Sequence, residues 1–239
     1  MVIRDWSSDV ALPIYFADYI LLHLYADAED WPQHNGYAAA NPVSGDGKFR
    51  FFVWDQEIVL DYHGRAAERI NSTGGVGTLF QKMRTSDEFR LLFADRVFRH
   101  CFNDGALSQS ASQERFLGLA NRIDKAIVAE SARWGDTQMK TPYGNTIEQP
   151  SPLDNYNHQN YPAAPHGPDY YFTREDSWLI ERDNVINHYI PDIHNTSNAY
   201  ALINLLRAND LYPAMDPPVF LMNEIEERRV GKECRSRWS

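Results

Sequence analysis

The sequence predicts an α+β fold, mainly helical with one short β element, and three observations carry that prediction. Apolar residues recur at helical spacing through most of the chain. One compact strand signal, Phe49-Arg50-Phe51-Phe52-Val53-Trp54, follows a turn rich in Gly, Asn, Asp and Pro. An aromatic content of 13% within 43% hydrophobic residues supplies a packed core and excludes a disordered tail.

Residues 11–28 hold Tyr15, Phe16, Tyr19, Ile20, Leu22 and Leu24, with Leu12, Tyr15, Tyr19 and Leu22 at helical spacing, which predicts a buried helix. Pro32 and Gly36 forbid its continuation and make 30–36 a loop. Strands follow at 37–40 and 49–54, joined by a turn over 41–47, and Asp55 ends the second. Residues 64–77 read as loop with Gly74-Gly75-Val76-Gly77 as its flexible centre; Lys and Ser/Thr are not at the offset a phosphate loop needs. After a helix over 79–84, Ser86 caps the next one, with Asp87 and Glu88 in its first turn and Phe89, Leu92, Phe93, Val97 and Cys101 facing inward. A capping box at Ser110 and Gln113 opens another, whose inward stripe is Phe116, Leu119, Ala120, Ile123 and Ile127, running to Trp134.

Residues 135–168 carry six prolines and no periodicity, which reads as a long functional or substrate-facing loop, or a disordered one. Thr173 and Asp176 start a helix bearing Trp178, Leu179, Val185, Ile186 and Tyr189, which Pro191 is expected to end. A last helix over 199–209 leads to Leu211-Tyr212-Pro213, and Asp216-Pro217-Pro218-Val219-Phe220 reads as the first strand of a following β domain over 214–225.

The two ends differ from the middle. Ile3-Arg4-Asp5-Trp6-Ser7-Ser8-Asp9-Val10 resembles a translated sequencing adapter, and 226–239 resembles the adapter of the opposite side. Residues 1–10 and 226–239 are therefore set apart as artefact, and 11–213 is taken as the domain. The ends carry −1 and +2 of a net −10, leaving −11 in the middle. That acidity opposes binding to a phosphate backbone, so nucleic acid is not an expected partner. With Cys234 in the adapter-like tail, Cys101 stands alone, which excludes an internal disulfide framework and a Cys-based zinc site. Asp18, His23 and Asp27 break the longest apolar run well short of the roughly 20 residues that span a bilayer, so no transmembrane segment is expected.

The sharpest chemical constellation is Asp30-x-x-x-x-Asn35 after a buried helix, then Asp55 at the tip of an apolar strand. Protein kinases use these residue types in this order. An Asp accepts the substrate hydroxyl proton, an Asn five positions on binds a divalent metal, and a later Asp binds the metals that bridge the nucleotide phosphates. A five-residue loop lets a carboxylate and an amide oxygen converge on one polyphosphate, and oxygen ligands suit Mg²⁺ or Mn²⁺. Asp30 with Asp55, or Glu57 with Asp61, also fits the paired carboxylates of a glycoside hydrolase, whose separation a sequence does not give.

A wider resemblance favours the first chemistry. Ala17-Asp18-Tyr19-Ile20, Asp30-Trp31-Pro32-Gln33-His34-Asn35 and Lys48-Phe49-Arg50-Phe51-Phe52-Val53-Trp54-Asp55-Gln56-Glu57 are similar to the metal-binding half of the spore-coat-protein-H (CotH) kinases. Glu88-Phe89-Arg90-Leu91-Leu92-Phe93-Ala94-Asp95-Arg96-Val97, Ala129-Glu130-Ser131-Ala132-Arg133-Trp134-Gly135-Asp136 and Leu179-Ile180-Glu181-Arg182-Asp183 resemble that family's helical C-terminal part. The resemblance covers about 11–220. It implies an atypical protein-kinase-like C-terminal lobe, ATP with Mg²⁺ or Mn²⁺ as cofactors, and phosphorylation of Ser or Thr in a partner protein, with acidity favouring a basic, Lys/Arg-rich substrate segment. By carry-over, Asp30 is the catalytic Asp, and Asn35 and Asp55 are metal ligands. The intact protein is expected to be secreted or at the cell surface.

The chain also departs from the pattern. Ala28 and Glu29 precede Asp30 where a kinase has His and Arg, so other contacts must hold the loop, with Trp31 and His34 as the candidates. The first Lys is Lys48 and the first Gly is Gly36, both after Asp30, so the phosphate-covering N-terminal lobe is expected to be missing and the chain alone to be inactive. The alternative reading is a non-catalytic kinase-fold module, binding or structural, of a secreted multi-domain protein.

Overall fold

The structure, a computed structural model, describes residues 6–41, 43, 49–56, 59–60, 65–135, 173–199 and 201–215. Helix α1 (Trp6–Tyr25) leads through the 30–35 loop into strands β1 (Gly36–Ala40) and β2 (Phe49–Val53). They form a two-stranded antiparallel sheet, with Gly36 opposite Val53 and Ala40 opposite Phe49. Helices α2 (Arg65–Arg69), α3 (Gly75–Met83), α4 (Asp87–Cys101) and α5 (Gln109–Trp134) follow. Residues 174–194 make one helical run, in which the π turns Arg174–Trp178 and Val185–Tyr189 flank α6 (Leu179–Asn184) and α7 (Ile190–His194) completes it; α8 (Leu202–Ala208) is the last element. The described chain is thus α+β and mainly helical.

Helix α1 runs through the centre of the core. Its Phe16, Ile20, Leu21 and Leu24 are buried with Phe51 of β2, Phe80 of α3, Phe93 of α4, Tyr189 and Ile190 of the helical run, and Leu206 of α8. Burial of each such side chain contributes about 1.5–3 kcal/mol. Polar bonds then set how the neighbours sit. The Tyr15 hydroxyl donates to the Phe51 carbonyl at 3.0 Å and accepts the Phe51 N–H at 3.2 Å, fastening β2 to α1. Arg96 of α4 grips Asp18 with Nε and Nη2, both at 2.6 Å, and the Tyr189 hydroxyl donates to the Tyr25 carbonyl.

Several elements differ from expectation. In α1 the inward row is Phe16, Ile20 and Leu24, while Tyr15 and Leu22 are 41% and 52% exposed. The helix is so rich in apolar residues that two rows of helical spacing compete; packing buries the other row together with Tyr19 of the expected one. It stops at Tyr25 because Asp27 takes a φ of 52°, outside helical geometry. Residues 64–77 are not a continuous loop, since they contain α2 and the start of α3. Ser108, not Ser110, caps α5, accepting the Ala111 N–H at 3.4 Å. In α5, Phe116 packs against the core while Leu119 and Ile123 stay 54% and 49% exposed.

Pro191 does not end its helix. It sits in the first turn of α7, where a missing N–H is tolerated, and the run continues to His194. The last helix is shorter than expected, Leu202–Ala208. Ser86 and Thr173 are N-caps as predicted, accepting the Phe89 and Asp176 N–H groups at 3.3 and 2.9 Å. The expected loop over 135–168 beyond Gly135, and the expected strand at 216–220, lie outside the described residues.

This packing predicts unequal costs for two truncations. Phe93→Ala should lose about 3–5 kcal/mol in urea unfolding, whereas Leu119→Ala should change stability by less than about 0.5 kcal/mol. A comparable loss from both would contradict the burial pattern.

Candidate functional site

The 30–35 loop is closed by its own backbone. The N–H groups of His34 and Asn35 both donate to the Asp30 carbonyl at 3.1 Å, folding Asp30 and Asn35 onto one turn. The Asn35 carbonyl accepts the Trp54 N–H at 3.1 Å, which extends the β1–β2 ladder one step past Gly36 and Val53. Register therefore delivers Asp55 to the loop, and the Asn35 side-chain Nδ2 donates to the Asp55 carbonyl at 3.3 Å. A carbonyl can only accept, so the NH₂ end of the amide is fixed there and its oxygen remains available to a cation.

Asp55 is exposed and adopts a φ of 55°, a left-handed conformation that a residue with a Cβ takes at a cost of about 1 kcal/mol. Its carbonyl is held from two sides, by Asn35 and by Gln56 Nε2 at 3.5 Å. These side-chain bonds offset part of the strain.

The loop is braced by three groups, two of which the sequence does not announce. Trp31 is fully buried and stacks on His23 of α1, ring centroids 5.4 Å apart and 8° from parallel, while Tyr19 meets His23 edge-on at 4.4 Å. Arg69, at the end of α2, donates from Nε to the Glu29 carbonyl and from Nη2 to the Glu29 carboxylate, both at 3.0 Å. Its guanidinium fixes the residue before Asp30 from an element about 40 residues later. The third brace is the start of α3: Gly77 N–H donates to the Pro32 carbonyl at 3.1 Å. A Cβ on Gly75, whose φ is 46°, would lie 2.7 Å from that carbonyl, and one on Gly77 would lie 3.1 Å from Pro32 Cβ. The glycine cluster is a docking surface for the loop, which explains why reading it as a flexible centre fails. His34 is largely exposed, its Nδ1 3.7 Å from the Asp30 carboxylate.

Burial pushes the His23 pKa from 6.5 down to about 4, with a hydrogen bond to the Gln56 side chain opposing the shift. His23 is therefore the neutral imidazole at pH 7. Among the described residues no three His, Cys, Asp or Glu side chains form a cage for a metal. Asp30, Asn35 and Asp55 are oxygen donors, the type that suits a hard cation. No helix among the described residues is long and apolar enough to cross a membrane. No protein-family model, no curated protein and no solved structure matches the chain.

Two outcomes follow from this geometry. Asp55→Gly should stabilise the fold relative to Asp55→Ala by about 1 kcal/mol, because only the glycine relieves the positive φ; equal stability in urea titrations would contradict the strained backbone. The His23 contribution is complete above pH 6.5 and declines as pH falls toward 4, because the unfolded chain binds the proton first. Between pH 7 and 5 the wild type should lose about 2 kcal/mol more stability than His23→Phe. Equal losses in both proteins would remove the buried neutral imidazole from the account.

Proposed function

We propose that this chain is part of an atypical protein kinase of the CotH type, a kinase-like C-terminal lobe that transfers the ATP γ-phosphoryl to Ser or Thr of a partner protein. The observation that supports it is the bond from Asn35 Nδ2 to the Asp55 carbonyl. It joins the Asp-x-x-x-x-Asn loop to the strand-end Asp across a short hairpin, in the order in which kinases use these groups.

Each side chain then has one task. Asp30, half-buried behind the closed turn, accepts the proton of the attacking hydroxyl as the new phosphate bond forms. Asn35 Oδ1 and the Asp55 carboxylate would hold a divalent cation, which when bound would supply charge neutralisation for the phosphate oxygens. Arg69, Trp31 and the α3 glycines keep the loop in place, so the oxygen ligands meet the cation with little reorganisation. The Lys and covering loop that a kinase also needs do not precede Asp30 in this sequence, so the chain by itself is expected to bind metal and nucleotide without transferring phosphate. The acidic surface fits a basic substrate segment.

The test is Mn²⁺ affinity by calorimetry, with and without ATP, alongside a labelled-ATP assay. Asn35→Ala and Asp55→Asn should each weaken Mn²⁺ binding by about 10- to 100-fold, with no phosphate transfer above background. Affinity unchanged by both substitutions would discard the metal site and leave a non-catalytic module. Transfer abolished by Asp30→Ala would keep the kinase reading and overturn the expected inactivity of this chain.

A further inference from the structure

The two edges of the β1–β2 hairpin are not equivalent. The Asn35 carbonyl takes the Trp54 N–H, and hydrogen-bonded pairs alternate along an antiparallel ladder, so Tyr37–Phe52 and Ala39–Arg50 carry the next ladder bonds. Gly36, Ala38 and Ala40 of β1, and their partners on β2, therefore turn their N–H and C=O groups outward. The β2 edge is closed at its centre, because the Tyr15 hydroxyl serves both outward groups of Phe51. On β1, among the described residues, no hydrogen bond reaches the outward groups of Ala38 and Ala40.

The open edge lacks the devices that ordinarily protect one. β1 reads Gly-Tyr-Ala-Ala-Ala, with no charge, no proline and an unbroken register, and Tyr37, Ala38 and Ala39 are exposed. The neighbouring helix α3 seats its first turn on Pro32 and Gln33, ahead of the strand. Small side chains let another backbone approach to the roughly 4.8 Å of a ladder. Tyr37 flanks that approach, its ring stacked on Phe52 at 5.0 Å and 5.5 Å from Trp54. Such an edge takes an extended peptide by strand addition. Charge selects the occupant: two copies of this chain, each with a formal −10, repel, whereas a Lys/Arg-rich peptide is attracted. A Cβ on Gly36 would lie 2.9 Å from the Trp31 carbonyl, so a strand lying on β1 passes, at its Gly36 end, beside the loop that carries Asp30.

We propose that the outer edge of β1 is a docking strand for an extended, Lys/Arg-rich segment of a partner protein, held by backbone hydrogen bonds to Ala38 and Ala40. Taking a Ser or Thr of that segment as the phosphate acceptor at Asp30 rests on the kinase reading; the strand addition itself does not, and it is measurable with no metal or nucleotide present.

The experiment uses the full chain and a synthetic peptide of about ten residues that alternates Lys or Arg with Val and Thr around one Ser, a pattern suited to a strand. Binding should slow amide exchange of Ala38 and Ala40 at least about tenfold and leave Tyr37 and Ala39, already in the ladder, nearly unchanged. Two forms of the peptide, N-methylated at odd or at even positions, should differ about tenfold or more in affinity, since only one set of N–H groups faces β1. Ala38→Pro removes an outward N–H and no ladder bond, a place where an edge strand tolerates proline, and should weaken binding about tenfold. A peptide with Glu in place of Lys and Arg should bind at least about tenfold more weakly at low salt. Equal affinity of the two methylated peptides, or unchanged exchange at Ala38 and Ala40, would overturn the docking strand. Protection of those amides that rises with protein concentration, without peptide, would overturn it in favour of a second copy, and equal binding of the Glu peptide would overturn the basic partner. Mn²⁺ affinity on the same samples decides the kinase reading separately: a chain that ignores Mn²⁺ yet binds the peptide keeps the docking strand and loses the substrate role.

Discussion

The pairing of Asn35 with Trp54 is the constraint from which the rest of the site follows. A side chain at the end of a loop has no fixed relation to one twenty residues later unless the backbone supplies it. Here the 30–35 turn closes on the Asp30 carbonyl, and the Asn35 carbonyl then takes the Trp54 N–H as the next rung of the hairpin. Because a one-residue slip would move every side chain to the opposite face, the register is set by Phe51, whose ring is buried against Phe16 and Tyr19. Core packing and site geometry are thus one decision made by one strand.

Around that constraint the molecule places rigid groups rather than flexible ones. Trp31 anchors the loop on His23 of α1, while Arg69 of α2 and the first turn of α3 hold it from a segment some 40 residues later. The proposed cation site would gain from this arrangement, since a loop already held in place need not be ordered when an ion binds. The strained backbone of Asp55 is consistent with the same logic: a left-handed residue persists where its neighbours over-determine it, and two side-chain amides converge on its carbonyl.

How much of this was legible in the sequence depends on the range of the forces involved. The strands at 36–40 and 49–53 and the caps at Ser86 and Thr173 came from local chemistry, which a sequence carries directly. The row of α1 that faces inward, and the exposure of Leu119 and Ile123, depended on which partners lie alongside, information absent from a single periodic pattern. The glycines at 74–77 were read as flexibility because glycine permits it; their close approach to Pro32 is a tertiary fact. Arg69 left no signal, lying in a stretch read as loop and acting across 40 residues on Glu29. His23 did leave one, as a polar interruption in an apolar helix.

The most direct test of the central claim is a crystal structure of the chain grown with Mn²⁺ and ATP, with data collected at the manganese absorption edge. The account predicts an anomalous peak about 2.1 Å from Asn35 Oδ1 and an Asp55 carboxylate oxygen, with the 30–35 turn unchanged. Manganese located elsewhere on the acidic surface, with neither residue in its shell, would contradict it.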